Sequence, residues 1–575
     1  MARRATLAGD SLSRYILAVD LGTSGVKVAL ISTDGRVAGW ESEPVALHVL
    51  LGGGAEQRPD DWWDGLVAAA GRLLRRRPAA ALAIAAVCCS TQGEGTVAVD
   101  REGRPLMDCI LWMDMRGAEP LRRRFRGAVN YSGFSLARIR RWIKITGGMP
   151  SPTGKDPAAH MLLVREAFPE VYERTYKFLN VLDYLNLRLT GRFVATCDSI
   201  LTSWVTDNRH ADRVRYHDGL VARCGIDSDK LPEIVKCTDV LGTLTAEAAA
   251  ALGLPASTAV VAGAIDNTAA AVGSGAVDDF ATHLYVGTSS WLATHVPFKK
   301  TDIFSGIASV PCAVPGRWLL TALQATAGGN LTFLRDNILY HHDELLTEER
   351  LPDVFKIFDR IAERVPAGAN GVIYTPWIYG ERAPVDDRSL RAGLYNLSLD
   401  NTREDIVRAF LEGVALNTRW LMKPVEKFLG RPVTAVNLVG GGGQSAVWSQ
   451  IFADTLGVEV RQVRDPLQAN ARGAAWIAAV GLGEIEFRDV PGLVGIAEVY
   501  RPRAASSAVY DERFATFVEI HKRMHKLYRR LNRDAPPPTL ALAAEAALTT
   551  EAALTADSAL TTESAGGAGM ASRPE

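Results

Sequence analysis

A strand-turn-strand pattern that occurs twice is the strongest constraint on the fold of this chain. The first copy, YILAVDLGTSGVKVALIST, spans 15–33, and the second, HLYVGTSSWLATHV, spans 283–296, with their Gly-Thr-Ser turns 265 residues apart. Between and after them, short β-branched segments ending in Gly or Asp alternate with helical patterns rich in Ala and Leu, which is typical of α/β proteins. The sequence therefore predicts a large duplicated α/β architecture with one phosphate-gripping hairpin in each half.

Size and charge exclude several classes of protein. A chain of 575 residues is too long for a small binding module, since about 150 residues make an ordinary domain. With 64 Lys and Arg against 65 Asp and Glu, no overall field attracts nucleic acid or an anionic membrane. The seven cysteines form no C-x-x-C pair, which argues against a disulfide framework or zinc ribbon and indicates a reducing cytoplasm.

The two ends differ in composition from the middle. Residues 1–14 lack an apolar core segment and are predicted to be a flexible extension. Residues 534–575 contain the near-repeats AALTTE, AALTAD and SALTTE, which predict a disordered tail, with a partner-binding helix as the alternative. The segment 511–533 has apolar residues at helical spacing and is predicted to be the last packed helix.

The first Gly-Thr-Ser turn, DLGTSG over 20–25, places the carboxylate of Asp20 at the end of a strand. Its glycines let backbone N–H groups face an anion, and its hydroxyls add donors, so the turn suits a nucleotide phosphate with Mg²⁺. The same residue types are also ordinary in hairpin turns. The matching turn GTSS over 287–290 favours the phosphate interpretation.

Two other strand ends carry candidate functional groups. In VVAGAIDNT, over 260–268, Asp266 lies between a buried strand and an Ala-rich helix, as either a helix N-cap or a general base. In VNLVGGGGQ, over 436–444, four glycines allow the backbone to approach a flat or phosphorylated ligand. Because this turn contains G-x-G-x-x-A, followed by Glu459 in the next strand, an NAD-linked oxidoreductase is the alternative enzyme class.

Seven motifs in order, DLGTSGVK, STQGEGT, LWMD, AIDN, YVGTSS, GERAP and VGGGG, resemble those of the FGGY carbohydrate kinases. The resemblance implies two ribonuclease-H-like domains of the actin and hexokinase type, with a cleft between them. Residues 15–272 are expected to bind sugar and phosphate, and residues 273–533 to bind ATP. The resemblance also implies a Mg²⁺- and ATP-dependent kinase of a small sugar or polyol, and it leaves a homodimer open.

The resemblance further assigns roles to individual residues. Asp266 is implied as the base that takes the hydroxyl proton and, with Asp20, as a ligand of Mg²⁺. The sugar is expected to contact Gln92, Glu94, Asp266 and Asn267. ATP is expected to contact Thr23, Ser24 and Lys27 in the first hairpin, Gly287, Thr288 and Ser289 in the second, and Gly328, Gly441, Gly442 and Gly443 on the nucleoside side. Phosphoryl transfer needs mainly positioning and charge neutralisation, so no covalent nucleophile is required.

The sugar-facing motif QGEG over 92–95 departs from the family pattern. Xylulokinases usually have Met-His at 93–94 and glycerol kinases Arg-Glu, whereas this chain has Gly-Glu. Gly93 is expected to leave space and no fixed positive donor, so the pocket is predicted to take a neutral pentulose such as xylulose. A non-catalytic sugar-binding homologue is a further alternative. The family's Lys/Trp signature before FPEVY is also degraded, and Lys155 is a candidate replacement from a loop.

Overall fold

The computed structural model describes residues 14–131, 133–340 and 354–533. Apart from residue 14, the predicted N-terminal extension therefore lies outside the described residues, and so does the whole predicted tail. In the first half, the strands are β1 (Tyr15–Leu21), β2 (Gly25–Ser32), β3 (Val37–Pro44), β4 (His48–Leu50), β5 (Gly54–Gln57), β6 (Ile84–Thr91), β7 (Val97–Val99), β8 (Cys109–Ile110), β9 (Asn130–Tyr131), β10 (Phe134–Ser135), β11 (Lys177–Leu179), β12 (Val194–Thr196), β13 (Thr206–Asp207), β14 (Arg215–Tyr216), β15 (Glu233–Val235), β16 (Val240–Thr243) and β17 (Ala259–Ile265). Its helices are α1 (Pro59–Arg76), α2 (Pro78–Ala81), α3 (Ala118–Phe125), α4 (Leu136–Thr146), α5 (Pro157–Ala167), α6 (Pro169–Arg174), α7 (Val181–Thr190), α8 (Asp218–Cys224), α9 (Ala246–Leu252) and α10 (Asp266–Gly273).

The second half follows a linker over 274–281. Its strands are β18 (Thr282–Val286), β19 (Ser290–Val296), β20 (Thr301–Asp302), β21 (Ile307–Pro311), β22 (Trp318–Gln324), β23 (Ile373–Thr375), β24 (Gly393–Tyr395), β25 (Ala435–Val439), β26 (Glu459–Val463) and β27 (Ile496–Tyr500). Its helices are α11 (Gly328–Leu334), α12 (Val354–Arg364), α13 (Arg403–Leu429), α14 (Ala446–Leu456), α15 (Ala469–Gly481), α16 (Val490–Leu493) and α17 (Ala504–Leu531).

The two halves contain sheets with the same central topology. The first sheet has the order β16-β17-β6-β1-β2-β3 and the second β20-β21-β22-β19-β18-β25-β26-β27. In both, three strands pair antiparallel through the Gly-Thr-Ser hairpin and two further strands continue in parallel. This shared order confirms the duplicated α/β architecture that the repeated hairpins predict.

The central strands are apolar on both faces because helices cover both sides of each sheet. All but one residue of β1 and of β2 are buried. In the first sheet, α1 packs on one face and α15, which belongs to the second half of the chain, packs on the other. Continuous apolar strands of this kind are expected where a sheet has no solvent-facing side.

Helices α10 and α15 hold the halves together through close backbone contact. They occupy equivalent positions, each following the last of the parallel strands, β17 and β26. A Cβ atom added at Gly273 would lie 1.8 Å from the carbonyl oxygen of Ala469, and one added at Gly473 would lie 1.8 Å from that of Ala269. Glycine is therefore the residue that fits at both crossing points.

The last described helix is α17, as the apolar spacing predicts, although it begins at Ala504 rather than Asp511. Its buried aromatic residues Phe517 and Tyr528 pack with Trp377 of the second half. Within the described part of the chain, no helix is long and apolar enough to cross a membrane.

Candidate active site

A cleft of about 1440 Å³ is lined by residues of both halves. Its lining includes each residue predicted to contact sugar, ATP or Mg²⁺ with the exception of Gly443. Gly443 is buried beneath the glycine turn, where a Cβ atom would lie 3.0 Å from Pro466 Cβ, and its carbonyl accepts a hydrogen bond from Gln462 Nε2 at 2.7 Å. Gly443 therefore supports the glycine turn from behind, and its contact with ATP stays a prediction.

Asp266 is aimed into the cleft by an irregular end of β17. The register between β17 and β6 shifts between Val261 and Ala264. Gly263, with φ of +76°, allows this bulge, since a Cβ atom there would lie 2.0 Å from the carbonyl oxygen of Cys89. The strand end is also held by Asp198, whose Oδ2 accepts a hydrogen bond from the Ile265 N–H at 3.0 Å. Asp266 is the first residue of α10, whose N-cap is Ile265, so the N-cap alternative is wrong and Asp266 instead lines the cleft.

The pKa of the Asp266 carboxyl lies near neutral pH. Burial, together with the neighbouring carboxylates Asp20, Glu94 and Asp198, raises the pKa of its carboxyl to about 7. The N–H of Asn267 partly opposes this effect by donating to Asp266 Oδ1 at 2.7 Å. A carboxylate with a pKa in this range is suited to accept a proton at physiological pH.

We expect a pH dependence that follows from this carboxyl. Only the deprotonated form of Asp266 can accept a proton, so kcat/KM should fall about tenfold per pH unit as pH drops below about 7. A pH series of initial rates at subsaturating sugar measures this. A profile that is flat from pH 5 to pH 8 would show that no group with this pKa takes part.

Asp20 lies beside Asp266 at the end of β1 and is 7% exposed. Its Oδ1 accepts a hydrogen bond from Asn470 Nδ2 on α15 at 3.3 Å, which links the first hairpin to the second half of the chain. Its strand partner in the hairpin is Lys27, which also lines the cleft. Asp20 and Asp266 give a pair of close carboxylates, and Mg²⁺ in phosphate sites takes one or two carboxylates together with phosphate oxygens and water. The pair therefore fits Mg²⁺, although the described residues contain no cluster of three or more ligating side chains.

The side chains of Thr23 and Gln92 are hydrogen-bonded to each other. The Thr23 hydroxyl donates to Gln92 Oε1 at 2.7 Å and accepts from the Trp112 indole N–H at 3.1 Å. Gln92 Nε2 donates to Gln57 Oε1 at 2.9 Å, and Gln57 Nε2 returns to the Thr23 carbonyl at 2.7 Å. Because the single hydroxyl proton of Thr23 is taken, a phosphate contact there would come from the backbone N–H. The network positions the first hairpin against the sugar motif.

Backbone of the second half forms the opposite side of the cleft. The N–H of Gly328 donates to the Gly287 carbonyl at 2.8 Å, and a Cβ atom at Gly328 would lie 2.7 Å from that oxygen. The N-terminus of α11 is thereby pressed onto the second Gly-Thr-Ser turn. Gly440, with φ of +87°, similarly packs against Val286, whose carbonyl oxygen would lie 2.6 Å from an added Cβ. These close contacts fix the two glycine-rich segments where they line the cleft.

The end of the cleft that contains Glu94 also contains cations that the sequence pattern does not predict. Glu94, with φ of +63°, lies in the lining next to Lys155 and Arg382, whose charges lower the pKa of its carboxyl while burial raises it more strongly. Arg388 also lines this end. The premise of a pocket without a fixed positive donor is therefore wrong, because loops distant in sequence supply the charges. Asn267 Nδ2 is buried here without a hydrogen-bond partner among the described residues.

The dinucleotide alternative lacks its ribose acceptor. Glu459 is absent from the cleft lining and instead pairs with Arg461 at 2.8 Å and Arg501 at 3.4 Å. Glu459 begins β26 opposite Ala435, the first residue of β25, so it lies at the other end of this strand pair from the glycine turn. Glu459 therefore no longer supports an NAD site at the glycine turn.

Comparisons with known proteins agree with this geometry. Residues 15–273 match the model of the N-terminal domain of the FGGY family of carbohydrate kinases, and residues 283–482 match that of its C-terminal domain. The xylulose kinase of Bacillus subtilis is 27% identical over 90% of this chain and 98% of its own length. The gluconokinase of Bacillus licheniformis is 25% identical over the same shares. The crystal structure of xylulose kinase from Rhodospirillum rubrum matches with a TM-score of 0.73 at 27% identity, covering 90% of this chain and 100% of that one.

Proposed function

Because the chain belongs to the FGGY family of carbohydrate kinases, we propose that it transfers the γ-phosphoryl group of ATP to a hydroxyl of a small sugar, with Asp266 as the general base. Membership of the family makes the chain a sugar kinase. The observation that supports the role of Asp266 is its position, at a strand end inside the cleft, with a pKa near 7. The carboxylate lines the cleft together with residues of both halves of the chain.

In this mechanism the protein binds ATP and the sugar, orients the attacking hydroxyl and neutralises the charge of the phosphates. The two Gly-Thr-Ser turns and Lys27 hold the phosphates of ATP, and Mg²⁺, bound at Asp20 and Asp266, would offset phosphate charge. Asp266 accepts the proton of the attacking hydroxyl, whose oxygen forms the new P–O bond as the bond to ADP breaks. Asn267 supplies an unpartnered donor and Glu94 an acceptor for further hydroxyls of the sugar.

Asp20→Asn should raise the Mg²⁺ concentration for half-maximal rate by at least about tenfold. The substitution removes one of two close carboxylates while keeping an oxygen that can accept from Asn470. Titrating Mg²⁺ at saturating ATP measures the shift, with the melting temperature as a control. If only the melting temperature changes, the Asp20 side chain belongs to the turn rather than to the metal.

The identity of the sugar is the finer part of the proposal. The sequence favours a pentulose such as xylulose, on the premise that the pocket contains no cation. That premise is wrong, because Lys155 and Arg382 line the pocket. The relatives are named for a neutral ketose and for a sugar acid. We therefore propose an open-chain sugar, ketose or aldonate, as the substrate of the Asp266 reaction.

A coupled ADP-release assay with Mg-ATP tests this function directly. Ketoses, polyols and aldonates of three to seven carbons are compared, and NAD reduction is followed in parallel with the same panel. Sugar-dependent ADP release is expected. Sugar binding without ADP release would instead support a non-catalytic homologue, and sugar-dependent NAD reduction would support an oxidoreductase.

A further inference from the structure

Three cations, Lys155, Arg382 and Arg388, line the sugar end of the cleft. Carboxylates lie near them as well, with Glu94, Glu381 and Asp386 in the lining and Asp156 behind Lys155. Lys155 and Arg382 act on Glu94, and Arg388 acts on Lys155, so these side chains form one electrostatic group. None of the three cations forms a salt bridge with a residue that the structure describes.

The cation at the centre of this group has no acceptor among the described residues. Lys155 forms neither a hydrogen bond nor a salt bridge with any residue that the structure describes. Its ammonium lies 5.7 Å from the ring centroid of Trp112 and 6.0 Å from that of Tyr379, one from each half of the chain. Burial, together with the charges of Arg388 and Arg382, lowers the pKa of Lys155 to about 8.

The loop that carries Lys155 is fixed on both sides of this residue. Gly154, with φ of +76°, presses on the start of α3, where a Cβ atom would lie 2.1 Å from the N atom of Ala118. Asp156, which is 4% exposed and lies behind the lining, accepts hydrogen bonds from the Ser151 N–H and the Trp204 indole N–H. The ammonium is therefore held in place before any ligand arrives, which limits the entropy lost on binding.

The arginines reach the same point from the second half. Glu381 anchors their loop, because its Oε1 accepts from the N–H groups of Ala325 and Arg382, each at 2.8 Å. Arg388 extends across the cleft until its Nη1 lies 3.7 Å from the Sδ of Met115 in the first half. Like that of Lys155, the Arg382 side chain forms no salt bridge among the described residues. Both guanidinium groups are thus free to bind a planar anion.

We infer that Lys155, with Arg388 and Arg382, binds a carboxylate of the substrate, so that the sugar phosphorylated at the Asp266 end is an aldonate rather than a neutral ketose or polyol. The inference rests on the proposed kinase function. Glu94 and Asn267, between the two ends, are placed to contact the hydroxyls of such a chain. The carboxylate of an aldonate would supply the acceptor that the Lys155 ammonium lacks among the described residues.

Matched substrates and variants test the inference. The kcat/KM for ADP release is measured with aldonates of five and six carbons, the corresponding alditols, and xylulose. The variants are Lys155→Met, which removes the charge, and Lys155→Arg, which keeps it. We expect the wild type to prefer an aldonate by at least about tenfold. Lys155→Met should abolish that preference by lowering kcat/KM for the aldonate at least about tenfold more than kcat/KM for a neutral sugar, and Lys155→Arg should keep the preference.

The pH dependence of KM gives a second readout. Because the protonated amine binds the anion, KM for the aldonate should rise above about pH 8 in the wild type and stay level in Lys155→Arg, while KM for a neutral sugar changes in neither. Preference for a neutral sugar, with Lys155→Met affecting both substrate types alike, would overturn the inference and leave the kinase proposal standing. Absence of ADP release with every compound would overturn the kinase proposal itself.

Discussion

Asp266→Asn is expected to lower kcat by roughly 10² to 10⁴ while leaving the affinity for ATP at saturating Mg²⁺ nearly unchanged. The amide keeps the size of the side chain and can still accept from the Asn267 N–H, but it cannot take the hydroxyl proton. The residues proposed to contact the phosphates, in the two Gly-Thr-Ser turns, are separate from Asp266 in sequence. Steady-state kinetics with the best sugar, together with ATP titration by calorimetry, measures the two effects.

Asp278→Asn provides the matched control for that substitution. Asp278 lies in the exposed linker after α10 and outside the cleft lining, so the same chemical change there should leave kcat within about twofold. Turnover close to that of the wild type in Asp266→Asn would refute its role as the base. A large loss in both variants would point to the fold rather than to proton transfer.

Gly473→Ala should destabilise the protein by about 3 kcal/mol or more and reduce activity in the fraction that still folds. The added Cβ would meet the Ala269 carbonyl oxygen at 1.8 Å, so α10 and α15 would have to separate. Asp266 begins α10, and Asn470, which holds Asp20, lies near the start of α15. Separation of these helices therefore moves the two carboxylates relative to each other. Denaturant unfolding gives the free energy of unfolding.

Gly71→Ala is the corresponding control in another helix. Gly71 lies inside α1, and an added Cβ there would meet only the end of the Arg75 side chain, at 3.2 Å. Because alanine favours the helix over glycine by about 1 kcal/mol, this variant should be neutral or slightly more stable. If Gly473→Ala unfolds at the same denaturant concentration as Gly71→Ala, the helices do not depend on close backbone contact.

The sequence predicts those features that depend on local pattern. A strand, a Gly-Thr-Ser turn and a second strand are encoded within about twenty residues, so both hairpins follow from residue types alone. The glycine turn after β25 is predicted for the same reason, although which of its glycines face the ligand depends on packing. Gly443 is buried because Pro466, from a later segment, lies against it.

The sequence does not predict features that are formed by segments far apart along the chain. The cation cluster joins Lys155, before α5, to Arg382 and Arg388, more than 220 residues later, and no local pattern brings them together. The role of Asp198 is likewise not predicted from the sequence, because it consists of accepting a hydrogen bond from the backbone of β17. The motif GERAP and the candidate loop at Lys155 were the available signals for this cluster, but neither gives the position of its charges.

The most direct test of the central claim follows the transferred group itself. The protein is incubated with Mg²⁺, ATP labelled in the γ-phosphate, and the sugar that gives the fastest ADP release, and the products of wild type, Asp266→Asn and Asp278→Asn are separated. We expect the label in a sugar phosphate with wild type and Asp278→Asn, in an amount equal to the ADP formed, and at least about 100-fold more slowly with Asp266→Asn. Label released only as inorganic phosphate, or equal transfer by Asp266→Asn, would contradict a sugar kinase that uses Asp266 as its base.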